Sequence, residues 1–176
     1  AKLLSVDDPS YEQQLRDFAP VFNNNAYLLI NAPTWGQAET EAQLLKGHVA
    51  SINNLDENNF IYDHLVKGLA DGDVFIGATD KTNENSWIWT DGSELGTGRS
   101  SNFIAEDFEN WHTGEPNNWG GAQNWARFWE HNNKNEQWDD GDQRSAPLAV
   151  IEIPLGDDSS TSTVESKPTT NSPINV

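Results

Sequence analysis

Between residues 80 and 121 this chain carries a long stretch with almost no hydrophobic periodicity, rich in Asn, Asp, Gly, Ser and Trp. Irregular segments of that length in a compact domain are usually functional or disordered. The interleaved tryptophans (Trp87, Trp89, Trp111 and Trp119) argue for order, because indole rings bury large apolar areas and fix the backbone that carries them. The regular elements on either side must therefore frame a long, ordered, irregular segment.

Those flanking elements are legible. Asp8-Pro9 reads as the cap and first turn of a short helix, with Tyr11, Leu15 and Phe18 on one face. Residues 26–30 read as a strand. Thr34 with Gln37 forms a capping box ahead of a helical stripe of Trp35, Ala38, Ala42 and Leu45, ended by Gly47. Residues 48–52 read as a short strand, and Asn54 with Glu57 opens a second helix burying Phe60, Ile61, Leu65 and Leu69. Further strands are expected at 74–77, 125–129, 137–138 and 148–153. After Pro154 the chain turns to Ser, Thr, Asp and Pro, the composition of an extended, solvated linker, and a further domain is expected beyond it. The expected organisation is an N-terminal extension (1–25) packed on the core, a domain at 26–155, and a linker or tail at 156–176.

Composition removes several classes of function. Ten basic residues face 28 acidic ones, a formal net charge of −18. Nucleic acid and anionic membranes both need positive charge on the protein, so neither is an expected partner. The acidity suits a cation binder, or simply a soluble surface. With no cysteine, neither a disulfide framework nor a thiolate zinc site is open to the chain. No run approaches the ~18 apolar residues of a membrane span. The start at Ala1 lacks a signal-peptide pattern, as expected of a mature or excised fragment.

The chemistry concentrates in two short segments, Glu115-Pro116-Asn117 and Trp138-Asp139-Asp140. Carboxylates and an amide gathered this way are hard oxygen donors, and calcium takes six to eight such oxygens at roughly 2.3–2.6 Å.

These segments sit among others in a familiar order: Thr34-Trp35-Gly36-Gln37-Ala38-Glu39, Gly47-His48-Val49-Ala50-Ser51-Ile52, Phe75-Ile76-Gly77, Trp87-Ile88-Trp89-Thr90-Asp91-Gly92-Ser93, Trp111 and Gly114-Glu115-Pro116-Asn117-Asn118. From about Tyr27 to Pro154 the chain resembles the C-type lectin domain. The resemblance implies an α+β fold, with two helices flanking small antiparallel sheets and a long calcium-binding loop region. It implies calcium ligands at Glu115, Asn117, Gln123, Asp139 and Asp140, around a cis Glu115–Pro116 bond. Glu115 and Asn117 would serve one sugar hydroxyl, Gln123 and Asp139 the adjacent one, and Trp119 is the stacking candidate. Asp80, Glu84, Asn118 and Asn124 match a second metal position of the family, with two of its usual acids now amides. Trp87, Trp89, Trp111 and Trp138 are expected in the core, and His48, His64, His112 and His131 show no metal-ligand spacing and are expected to be structural or exposed.

The chain departs from the family pattern twice. The usual disulfide positions fall near Ala42 with Ile151 and Trp125 with Gln143, where packing of the first pair would replace a bridge. Gln123 stands where the family has Glu, and Asp139 where it has Asn, so one charge moves across the site. In the family Glu-Pro-Asn goes with mannose-type sugars, extending to fucose and N-acetylglucosamine. The function implied is a non-enzymatic, calcium-dependent lectin module of an extracellular bacterial adhesin of the large calcium-rich (RTX) type. Its partners would be cell-surface glycans and neighbouring domains of a larger chain. An ice-binding domain, or a protein-binding one with structural calcium, is the alternative. A glycosidase using Glu115 and Asp139 is disfavoured, because a bound cation would keep both carboxylates ionised.

Overall fold

The computed structural model describes residues 5–69, 72–129 and 136–156. The expected linker from residue 157 onward, and His131, lie outside the described residues.

The chain opens with helix α1 (Tyr11–Phe18), which buries Tyr11 and Leu15. Phe18, expected on that face, is 84% exposed. The chain leaves the helix in extended conformation at Ala19, so Phe18 projects past the edge of the contact. Strands β1 (Val21–Phe22) and β2 (Asn25–Asn31) follow as a hairpin whose two turn residues, Asn23 and Asn24, both have positive φ. Asparagine tolerates that region better than most residues, which is why Asn-Asn makes a tight turn.

Helix α2 (Trp35–Leu44) is capped as expected, Thr34 Oγ1 accepting from the Gln37 N–H at 3.2 Å. Its C-terminus closes with the Gly47 N–H bonded to the Ala42 carbonyl and the Lys46 N–H to the Gln43 carbonyl. The left-handed residue there is Lys46, not the expected Gly47. Gly47 is required for another reason: a Cβ would strike the Glu152 carbonyl of the neighbouring strand. Strand β3 (His48–Val49) is shorter than expected. Helix α3 (Leu55–Ile61) starts at Asn54, whose side chain accepts from the Glu57 N–H at 2.9 Å, and runs into a π-helical turn at Tyr62–Val66.

Strands β4 (Val74–Thr79), β5 (Ser86–Ile88), β6 (Glu94–Thr97), β7 (Ile104–Ala105), β8 (Trp125–Phe128), β9 (Trp138–Gly141) and β10 (Leu148–Pro154) complete the described strands. The strands join in the order β1-β2-β10-β4-β5-β6-β7, with β3 against β10, and β8 bridging β4 and β9. Pairing is antiparallel except between β10 and β4.

One apolar cluster packs α1 against α2 and β10 through Tyr11, Leu15, Ala42, Ile151 and Ile153. Ala42 and Ile151, expected to replace a bridge by packing, thus meet in a common apolar cluster. A second cluster lies under the irregular segment. Trp111 meets Trp87 and Trp138 edge-on, with ring centroids 4.9 and 5.9 Å apart, and Trp89 stands perpendicular to Trp138 at 5.6 Å. Their indoles are the floor on which the loop rests, and Trp138 Nε1 donates to the buried Asn58 Oδ1 at 2.8 Å.

Candidate calcium and sugar site

The site forms where the loop after Trp111 crosses the end of β9. The Glu115–Pro116 peptide bond is cis, as expected, and Pro116 is buried while Asn117 is exposed. Along a strand, successive side chains point to opposite faces. Asp140 faces the loop: its Oδ1 accepts from the Asn117 N–H at 2.9 Å and its Oδ2 from the Asn118 N–H at 2.6 Å. Asn118 takes the left-handed conformation, which asparagine tolerates, and this turns both amides toward one carboxylate.

The amide oxygens of Asn117 and Gln123 converge on one point. The Trp119 N–H donates to Asn117 Oδ1 at 2.7 Å and to Gln123 Oε1 at 2.5 Å. Gln123 Nε2 in turn donates to the Asp140 carbonyl at 2.8 Å, so Gln123 joins the loop to β9. Trp119 itself holds its ring out, 80% exposed. Glu115 completes the set, and its Oε2 is buried without a hydrogen-bond partner. Burial first, and then a hydrogen bond shared with the neighbouring Asp140 carboxyl and the charges of Asp140 and Asp139, push the Glu115 carboxyl up to about 7, against a hydrogen bond from Asn117.

Asp139, expected among the metal and sugar ligands, is engaged by Arg127. It points to the other face of β9, where Arg127 of β8 stands directly opposite in register. Arg127 Nε and Nη2 donate to the two Asp139 carboxylate oxygens, each at 2.7 Å. The same guanidinium reaches Asp73 at 2.9 Å and the Ser145 carbonyl at 2.7 Å. Burial pushes Asp139 up to about 6 against the pull of Arg127. Arg127 and Asp73 escaped the sequence reading. The signal was a lone arginine in an otherwise half-buried strand, two residues after Trp125. Trp125 and Gln143, the other family disulfide positions, line an open depression. Arg127 ties that part of the fold together by charge.

The four residues of the second metal position do come together. Asn124 Nδ2 donates to Asp80 Oδ1 at 3.2 Å, and Asn118 Nδ2 donates to Glu84 Oε1. Burial and the charges of Glu84 and Asp140 push Asp80 up to about 6. The described histidines make local contacts. His48 contacts the Val49 carbonyl and the Thr90 hydroxyl, each at 3.0 Å. His64 packs on Phe60, and His112 lies edge-on to Trp129.

An α+β fold with a loop pinned over a tryptophan floor, carrying a carboxylate and amide set at one end, is a C-type lectin arrangement. Solved structures agree on the fold. The mouse scavenger receptor C-type lectin carbohydrate-recognition domain superposes with a TM-score of 0.61 at 23% identity, covering 77% of this chain and 93% of that one. A herring type II antifreeze protein does so with a TM-score of 0.62 at 20% identity, covering 78% and 97%. Human C-type lectin domain family 10 member A is 31% identical over 100 residues, which are 54% of this chain and 27% of that protein. The chain thus spans only a part of that relative. The model of the lectin C-type domain matches residues 31–150, and the chain belongs to that family. Members of this family are non-enzymatic carbohydrate-binding domains.

The family implies calcium, and the main site fits it. Glu115 Oε2 is an orphaned, buried acceptor beside a second carboxylate, and two amide oxygens already converge on a partly positive N–H. Among the described residues no three carboxylate or imidazole side chains converge, so a cation here rests on a mixed set of acids and amides.

Proposed function

We propose that this domain is a calcium-dependent carbohydrate-binding module, with calcium held by Glu115, Asn117, Gln123 and Asp140. The observation that carries the reading is the buried, unpartnered Glu115 oxygen next to Asp140. Two crowded carboxyl groups of one sign call for a cation, and the donors are the hard oxygens calcium prefers. When bound, calcium would offer open coordination positions to adjacent hydroxyls of a sugar. The chain's own part is to hold the pocket. Asp140 fixes the loop backbone through two N–H groups, and Gln123 links that loop to β9.

The Glu-Pro-Asn triplet supports mannose-type sugars, including fucose and N-acetylglucosamine. With Asp139 held by Arg127, the second hydroxyl is left to Gln123 without its expected carboxylate partner. Trp119 offers an exposed aromatic face beside the pocket. The acidic, cysteine-free composition and the Ser/Thr/Pro-rich C-terminal stretch support an extracellular module of a larger bacterial adhesin. A glycan array run with calcium and with chelator tests this. Binding to mannose-type glycans that disappears with chelator is expected, and binding that survives chelation contradicts it. The fold shared with the antifreeze protein supports a second reading, ice binding. Thermal hysteresis with no glycan bound would favour it.

A further inference from the structure

Asp80, Glu84, Asn118 and Asn124 are matched to one another as donors and acceptors. Asp80 Oδ1 accepts from Asn124 Nδ2 at 3.2 Å, and Asp80 Oδ2 from the Asn85 N–H at 2.9 Å. Glu84 Oε1 accepts from Asn118 Nδ2, and Glu84 Oε2 from Asn124 Nδ2 at 3.5 Å. All four carboxylate oxygens therefore face N–H groups. The orientation of Asn118 is fixed independently: its Oδ1 accepts from the Gln123 N–H at 3.1 Å, so its NH2 must face Glu84. Asn124 is held by its main chain as well, its carbonyl accepting from Thr79 Oγ1 at 2.7 Å.

A divalent cation needs lone pairs directed at it. Here two NH2 groups occupy that role and direct hydrogens at the acids. Replacing two of the family's usual acids by amides removes two negative charges and adds the donors that bind the remaining two. This set does not fit a cation.

We propose that the cluster is a metal-free clamp, in which Asn118 and Asn124 tie the loop around Glu84 to the loop around Asn118 by hydrogen bonds. The clamp stands where relatives place a second cation, so the chain takes up one calcium. The count of one rests on the calcium reading of the Glu115 and Asp140 pocket, whereas the clamp does not. Asn118 joins the two clusters: its side chain grips Glu84 while its main-chain N–H donates to Asp140. The loop is thereby ordered before calcium arrives.

Calcium counted by native mass spectrometry separates these claims. The wild type and the Asp80→Asn/Glu84→Gln variant should carry the same number of ions, and Asn118→Asp/Asn124→Asp should carry one more. Loss of an ion in the first variant, or no gain in the second, overturns the clamp. A wild type carrying no ion would sink the main-site reading alone, because the clamp is judged by the differences. In chelator, Asn118→Asp/Asn124→Asp should melt below the wild type, since four crowded carboxylates then lack donors. A melt at or above the wild type would also overturn the clamp.

Discussion

Two clusters of acids and amides lie side by side in this domain, and they divide consecutive residues between them. Asn117 and Gln123 go to one, Asn118 and Asn124 to the other. In the second cluster every carboxylate oxygen meets an N–H. In the first, Glu115 retains a buried oxygen with no partner, and two amide oxygens face the same point. The two are nearly alike in composition and differ in whether every carboxylate oxygen is met by a donor. What separates them is the buried Glu115 oxygen that no donor meets.

The largest effect is expected at the residue that serves the open cluster both as anchor and as acid. Asp140→Ala should abolish calcium-dependent glycan binding, whereas Asp139→Asn should keep it, because Asp139 belongs to Arg127. Glycan binding by both variants in a pull-down decides the contrast, and loss in both would return Asp139 to the site. Arg127→Met comes next. It leaves Asp73 and Asp139 buried beside each other, and removing one partner of a buried pair costs about 3–5 kcal/mol. Urea denaturation measures it, and an unchanged midpoint would remove Arg127 from its role.

A smaller effect is expected at the exposed ring. Trp119→Ala should weaken sugar binding by about 0.5–1.5 kcal/mol, the worth of an aromatic contact beyond its area, with the melting temperature unmoved because the ring is exposed. Isothermal titration with a mannose-type oligosaccharide reads it, and equal affinity would move the stacking surface elsewhere.

A pH-dependent effect is expected at Glu152 of β10, far from either cluster in role. Burial pushes its carboxyl up to about 7, against the pull of His48, with Glu57 adding to the rise. A carboxyl raised in the folded state favours folding most below its unfolded value of about 4.5. That contribution is lost as pH rises through about 7. Glu152→Gln should therefore gain stability relative to the wild type at pH 8 and not at pH 4. A difference independent of pH would refute the assignment.

Much of the frame was readable from local chemistry. Thr34 and Asn54 cap their helices because a side-chain oxygen three residues before a free N–H has few other uses. Trp87, Trp89 and Trp111 of the irregular segment form its floor together with Leu95, Phe103 and Phe108. Phe18 and Gly47 were misread because periodicity and residue type do not reveal where a helix leaves its partner or which neighbour approaches a Cα. The order of motifs brought Glu115, Asn117, Gln123 and Asp140 together as candidates, and the structure places them side by side. The pairing of Asp139 with Arg127 was not legible, because it depends on the β8–β9 register, which sets the two opposite each other. The amide orientations of Asn118 and Asn124 were equally hidden, since a sequence shows that an asparagine is present and not which end it turns.

The most direct test is a thermal melt with calcium and with chelator. Calcium at a hundred times its Kd stabilises the folded state by about 2.7 kcal/mol through mass action. For a domain of this size that is a rise of roughly 5–10 °C. The Asp140→Ala variant should show no such rise. A wild-type melt that is the same in calcium and in chelator would contradict the central claim that the Glu115 and Asp140 pocket holds a cation.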